Sequence, residues 1–223
     1  TAKLDYFETL GINAIELMPI QEFDGNDSWG YNPCFYFATD KAYGTDEAYK
    51  RFIDECHKRG IAVIIDVVLN HATGLFPYAK MWWDSYNNCT TDANPFFNRV
   101  ARHPYSVYHD FNHEYAETRN YFKRMLKFWL EEYKVDGFRF DLAKGLTQRN
   151  SGTDDGGVLP QKRPCALHLQ QMSAVQGIVL CYNTCNGHGF PPNFMTKSNV
   201  LVKFPVVIGK VFGIMEKAQY VTR

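Results

Sequence analysis

The sequence predicts an α/β fold built around a parallel β-sheet, and two patterns support this prediction. Apolar runs of strand length alternate with segments of helical periodicity, as in repeated strand–helix units. In addition, residues 61–69 (IAVIIDVVL) are mostly β-branched and almost wholly apolar, and such a strand is covered on both faces, as in parallel sheets. Doubly wound sheets and the eight-stranded (β/α)8 barrel both satisfy these patterns.

Three strand–helix units can be followed through the first 150 residues. The apolar runs with the length of buried strands are residues 12–18, 61–69 and 135–140. The segments with helical spacing that precede them are residues 4–10, 45–59 and 117–133. Thr45 or Asp46 is a suitable cap for the second helix. An irregular, aromatic-rich segment, 71–114, separates the second and third units.

The charge balance excludes some classes of function and also divides the chain. The 24 basic and 24 acidic side chains give no net charge, which argues against a nucleic-acid binder or a membrane-surface binder because both need a basic excess. No apolar run is long enough to span a membrane. Residues 1–155 carry 17 basic and 23 acidic side chains, whereas residues 156–223 carry seven and one. We therefore divide the chain into a first region, 1–150, and a tail of uncertain fold, 151–223.

Polar residues cluster where the predicted strands end. Asp66, Asn70 and His71 follow one strand, and Arg139 and Asp141 follow the next. Barrels of this class place their chemistry at the C-terminal ends of their strands. No glycine-rich phosphate loop follows these strands, which argues against nucleotide binding.

A charged pair is predicted between these strand ends. Asp66 lies inside an apolar strand, where a lone carboxylate is costly, and Arg139 poses the same problem with the opposite sign. An arginine between the two strands can satisfy Asp66 and, two residues along its own strand, Asp141. A carboxylate beside a fixed guanidinium stays ionised, as a glycosidase nucleophile must. A purely structural buried ion pair is an equally consistent interpretation.

Four motifs resemble the α-amylase family of glycoside hydrolases. They are WGYNP at 29–33, DVVLNH at 66–71, HDFN at 109–112 and GFRFDLAK at 137–144. Their order and spacing are also similar to the family's, over roughly residues 1–150. The resemblance implies a partial (β/α)8 barrel of the TIM type, covering about strands 2–4, with strand 1 upstream of Thr1. It also implies an inserted domain, 71–114, after strand 3.

The resemblance also implies roles for individual residues in a retaining reaction on α-glucosidic bonds. Asp141 would be the nucleophile and Arg139 its orienting partner. Four further residues would form the substrate-binding set, with Asp66 supporting Arg139, and these are Tyr31, Asp66, His71 and Lys144. Lys144 is equally consistent with a solvated surface lysine. The implied substrate is a starch-like α-glucan or a maltooligosaccharide.

Calcium is the one cofactor that the resemblance implies. Its ligands would be Asn70 and Asp110, because calcium prefers oxygen ligands, with a backbone carbonyl near Gly145 as a third. Gly145 stands where many amylases carry His. The alternative is that Asn70 and Asp110 cap turns.

The tail lacks the second carboxyl group that retaining hydrolysis needs. After Asp155 the only acidic residue is Glu216, and no family feature surrounds it. We therefore expect either a truncated, weakly active or inactive enzyme, or a non-catalytic carbohydrate- or partner-binding relative. A shifted reading frame, a splice or a fusion after about residue 150 would explain the change in composition.

The cysteines predict neither a disulfide framework nor a metal site. Cys34, Cys56 and Cys89 are scattered. The tail residues that could be drawn as a zinc site have irregular spacing and no C-x-x-C pair, so accidental composition explains them better. These residues are Cys165, His168, Cys181, Cys185 and His188.

Overall fold

The computed structural model describes residues 1–104 and 107–146, together with the backbone of two short strands in the tail. The helices are α1 (Leu4–Thr9), α2 (Asp46–Lys58), α3 (Pro77–Lys80) and α4 (Ala116–Glu132), followed by a 3-10 turn at Ala143–Leu146. The strands of the main sheet are β1 (Ala14–Leu17), β4 (Ala62–Val68), β9 (Gly137–Asp141), β10 (Ile178–Cys181) and β11 (Leu201–Phe204). The remaining strands are β2 (Gln21–Phe23), β3 (Pro33–Thr39), β5 (His71–Ala72), β6 (Trp83–Asp84), β7 (Cys89–Thr90) and β8 (His109–Asp110).

The main sheet is parallel and confirms the predicted α/β class. Its order is β10-β9-β4-β1-β11, and all four pairings are parallel. The three strands expected from the sequence are β1, β4 and β9. They lie side by side in the order of the sequence, as successive strands of a barrel do.

The two faces of the central strands have different surroundings. Val63, Ile65 and Val67 of β4 belong to the hydrophobic core that the helices cover. Because side chains alternate along a strand, Asp66 points to the opposite face. Arg139 of β9 pairs in register with Asp66, so the two charged residues share that face. The alternation thus separates an apolar, helix-covered face from a face that carries buried charge.

The helices form where capping and amphipathic spacing predict them. Thr45 caps α2, because its hydroxyl accepts a hydrogen bond from the backbone N–H of Ala48 at 3.2 Å. Tyr49, Ile53 and Cys56 form the buried face of α2. Helix α4 buries Trp129, whose indole N–H donates to the carbonyl of Tyr36 in β3 at 2.9 Å. This bond ties α4 to β3.

Two regions between the main strands have structure that the sequence patterns did not predict. β2 and β3 form an irregular antiparallel pair around the loop that carries Tyr31. Within 71–114, β5 pairs with β8 and β6 with β7. The aromatic residues Phe76, Phe97 and Phe111 of this segment join the same hydrophobic cluster as the main strands. The segment therefore packs on the common core, and its status as an inserted domain stays a prediction.

The described part of the tail consists of β10 beside β9 and β11 beside β1. The broken apolar pattern after residue 200 did not predict β11. Cys181 ends β10, whereas the other four residues of the rejected zinc site lie outside the described residues. Within the described residues, Cys34, Cys56 and Cys89 are free thiols. No helix in that part of the chain has the length and apolar character to cross a bilayer.

Gly30 should be irreplaceable in the loop before Tyr31. Its φ is +89°, and an added Cβ would lie 2.4 Å from the carbonyl oxygen of Pro19. We expect Gly30→Ala to lower the free energy of unfolding by roughly 3 kcal/mol, from backbone strain plus overpacking. Gly25→Ala is the matched control, because its φ is +87° and nothing lies within 4 Å of its Cβ position. It should cost only about 1 kcal/mol. Equal losses in urea unfolding would contradict the steric argument.

Candidate active site

The predicted charged pair is present at the ends of β4 and β9. One guanidinium nitrogen of Arg139 donates to Asp66 at 2.8 Å and to Asp141 at 2.6 Å. Asp66 and Arg139 are buried, while the side chain of Asp141 remains 20% exposed. Arg139 therefore fixes two carboxylates, of which only Asp141 is open to solvent.

Burial and hydrogen bonding act in opposite directions on Asp66. Its burial raises the pKa to about 6, although Arg139 and the hydroxyl of Tyr31 favour the ionised form. For Arg139, burial disfavours the charged form, but the two neighbouring carboxylates outweigh burial and raise its pKa. Arg139 is consequently always charged. Asp66 beside it is mostly ionised at neutral pH.

Tyr31 connects the loop between β2 and β3 to this pair. Its hydroxyl donates to Asp66 at 2.8 Å. Burial and the Asp66 charge raise the pKa of the phenol, so it remains a donor at neutral pH. The backbone carbonyl of Tyr31 accepts a hydrogen bond from Nε2 of His71 at 2.9 Å. One loop residue thus contacts both predicted binding residues on β4 and β5.

His71 is buried and held in one tautomer. A carbonyl can only accept, so Nε2 carries the proton in the bond to Tyr31. Nδ1 is then an acceptor, and it has no hydrogen-bond partner among the described residues. Burial lowers the pKa of the imidazole, which keeps it neutral at pH 7. The Tyr36 hydroxyl fixes the backbone by donating to the His71 carbonyl at 2.7 Å.

The two predicted calcium ligands differ in how they are satisfied. Both amide atoms of Asn70 are buried without a hydrogen-bond partner among the described residues. An added Cβ on Gly145 would lie 2.9 Å from Asn70, so the two residues are in close contact. Asp110 accepts bonds from Asn98 at 2.7 Å and His103 at 2.9 Å, but each carboxylate oxygen retains a lone pair. The orphaned Asn70 oxygen fits a hard cation.

Lys144 lies partly outside the described residues, and Glu216, the acid of the tail, lies wholly outside them. Lys144 is in the 3-10 turn Ala143–Leu146, but its side chain is not among those that the structure describes. β10 lies next to β9, where the fifth barrel strand is expected. The sequence at and after β10, IVLCYNTCN, contains no acid, and Glu216 lies outside the described residues.

Three residues near the site were missed by sequence reasoning. Asn98 and His103 bind the carboxylate of Asp110, and Tyr108 places its ring 5.5 Å from that of His71. Asn98 and His103 carry no periodic signal in an irregular segment. For Tyr108 the only available signal is its place directly before the HDFN motif.

The fold and the site define a class of protein: a parallel α/β domain that holds a carboxylate beside an arginine at the ends of its strands. Residues 1–104 match the family described as "Alpha amylase, catalytic domain". The comparison confirms the resemblance to the α-amylase family over residues 1–104.

The curated relatives are much longer than this chain. A malto-oligosyltrehalose trehalohydrolase from Saccharolobus solfataricus is 33% identical over 145 residues, which are 65% of this chain and 24% of the relative. A 1,4-alpha-glucan branching enzyme from Saccharophagus degradans is 32% identical over 161 residues, 70% and 21% of the two chains. The chain thus spans about a quarter of these relatives. A branching enzyme from Nitrosomonas europaea matches 208 residues at 28% identity, 92% of this chain and 26% of that one, which extends beyond residue 150.

Solved structures support the partial barrel. A maltogenic alpha-amylase from Thermotoga neapolitana has a TM-score of 0.58 and 26% identity over 81% of this chain and 40% of its own. An alpha-amylase from Geobacillus thermoleovorans, complexed with acarbose, has a TM-score of 0.61 and 24% identity over 81% and 38%. The second match bears on the fold alone.

The raised pKa of Asp66 predicts a pH dependence of stability. The folded state holds this proton up to about pH 6, and the unfolded chain only to about pH 4. The free energy of unfolding should therefore fall as the pH rises through this window, by roughly 1 kcal/mol per unit. Urea unfolding of the wild type and Asp66→Asn should differ by this slope, and parallel curves would contradict it. Tyr31→Phe should move the window to higher pH.

Proposed function

We propose that the chain is part of a retaining enzyme that acts on α-glucosidic bonds of starch-like glucans, by hydrolysis or chain transfer. The observation that carries the proposal is Asp141, the only solvent-open carboxylate of the pair held by Arg139, at the C-terminal end of β9. The names of the relatives, a branching enzyme and a trehalohydrolase, support an α-glucan substrate.

Each residue of the site has a distinct task in this mechanism. An oxygen of Asp141 attacks the anomeric carbon while the glycosidic C–O bond breaks, which leaves a covalent glycosyl ester. Arg139 orients Asp141 through a hydrogen bond of 2.6 Å. Nδ1 of His71 accepts a hydrogen bond from a sugar hydroxyl, and Tyr31 offers its ring to the same sugar. Water, or a glucan hydroxyl in transfer, then releases the sugar and regenerates the carboxylate.

The departing oxygen needs a proton from a second carboxyl group. No acid among the described residues is assigned as the donor of this proton, and Glu216 is the single acid after residue 155. This shortage favours a second candidate function, in which the chain binds α-glucans, or a partner, without turnover. A truncated, weakly active enzyme lies between the two.

An activated substrate distinguishes these functions, because fluoride leaves without a general acid. We expect 5-fluoro-α-D-glucosyl fluoride to label the chain with one sugar on Asp141, as detected by mass spectrometry of the intact chain and of its peptides. Asp141→Asn should abolish labelling, because an amide is too weak a nucleophile.

Asp92→Asn is the matched control, because this carboxylate is 79% exposed and lies outside the site. It should label like the wild type. If the folded wild type binds maltooligosaccharides but resists labelling, the chain is a binding relative and the enzymatic proposal fails.

We also propose that calcium occupies the position next to Asn70. The support is the buried amide oxygen that has no partner in the described structure and the approach of Gly145 to it. Asn70 and Asp110 would hold the ion, with a backbone carbonyl near Gly145. When bound, the ion would fix the β4–β5 junction, and with it His71.

Calcium should stabilise the wild type but not Asn70→Ala. Saturation at 100 times the dissociation constant adds about 2.7 kcal/mol to the free energy of unfolding, which thermal unfolding in calcium against EGTA would detect. In EGTA, Asn70→Ala should be at least as stable as the wild type, because it removes an unsatisfied buried amide. Asn87→Ala, in the exposed turn at Asp84, should retain the calcium effect. A wild type indifferent to calcium would refute the site.

A further inference from the structure

Tyr108 combines two features that are unusual for a tyrosine. The residue is 55% exposed, so it contributes little to the core. Its φ is +48°, a left-handed conformation that is uncommon for bulky residues and costs conformational energy. Such strain persists where the surrounding structure imposes it, and it clusters at ligand sites. The backbone at Tyr108 thus adopts an uncommon conformation although the residue is exposed.

That place is beside His71. The ring centroids of Tyr108 and His71 lie 5.5 Å apart with an interplanar angle of 36°. His71 is nine-tenths buried or more and has a free acceptor at Nδ1 among the described residues. Nε2 of His71 donates to the Tyr31 carbonyl at 2.9 Å, so Tyr108 stands next to two residues of the candidate site. An exposed aromatic residue and an acceptor without a partner among the described residues therefore stand together.

Resting on the proposed function, we propose that Tyr108 is a specificity-determining residue, whose ring stacks on a glucose unit next to the one that His71 contacts. An aromatic face is electron-rich and attracts C–H groups, and the flat apolar side of a pyranose presents such groups. The edges of a pyranose carry hydroxyls, and Nδ1 of His71 can accept from a hydroxyl of the neighbouring glucose unit. This pairing of an apolar face with polar edges suits an α-glucan chain.

A stacking contact on one glucose unit predicts a chain-length signature. Calorimetric titration of maltose through maltoheptaose would use the full chain, with Asp141→Asn in every protein to prevent turnover. For the native Tyr108, affinity should rise at the chain length that first reaches this ring. Tyr108→Ala should lose that rise, about tenfold in dissociation constant, and should bind shorter sugars as before. Tyr108→Phe should retain it.

Two variants separate stacking from a structural role. Tyr108→Gly removes both the ring and the strain of a positive φ, so it should unfold at the same temperature as the parent, or higher, and still lose the rise in affinity. Tyr86→Ala removes a tyrosine of the same segment that is 95% exposed, and it should change neither property.

The outcomes distinguish this inference from the function on which it rests. If the parent binds with the expected rise and Tyr108→Ala reproduces it, the inference fails and the proposed function stands. If Tyr108→Ala weakens all chain lengths equally, Tyr108 positions His71 and the stacking role is refuted. A folded parent that binds none of the sugars overturns the proposed function, and the inference with it.

Discussion

The burial of Asp66 against Arg139 is the constraint on which the rest of the site depends. Both charged side chains are buried and lie in register on adjacent parallel strands. Removing one partner from such a pair typically costs about 3–5 kcal/mol. The guanidinium spans two carboxylates, so the same contact that satisfies Asp66 fixes Asp141. Tyr31 supplies a third group on Asp66, which ties a surface loop to the buried pair.

The parallel sheet makes this arrangement possible and also explains why much of it could be predicted. A strand with period-two alternation puts Asp66 opposite the apolar residues of the core, and its register partner across the sheet is Arg139. Those facts follow from local sequence and from the cost of an unpaired buried charge. The three main strands and the Thr45 cap were predictable for the same reason: each depends on residues close together in the chain.

The irregular segments were less predictable, because long-range contacts set their conformation. Asn98 and His103 bind Asp110 from loops whose sequence has no periodicity. The backbone of Tyr108 adopts a positive φ, a conformation that the presence of a tyrosine in the sequence does not predict. The hairpin-like pairing of β2 with β3 is also irregular. Residues 147–177, 182–200 and 205–223 lie outside the described residues, so the roles assigned by resemblance rest on the first region.

Two of the four non-glycine residues that have a positive φ in the described part of the chain lie near the site. Leu142, directly after Asp141, has a φ of +43°, and Tyr108 has one of +48°. Each is a bulky residue in a conformation that costs free energy, and the two flank the candidate nucleophile and the His71 ring. The stabilisation that offsets this cost comes from the packed core, which includes Tyr36, Phe111 and Trp129. The buried apolar layer on one face of the sheet thereby supports strained residues near the strand ends, where the proposed binding and catalysis would need fixed geometry.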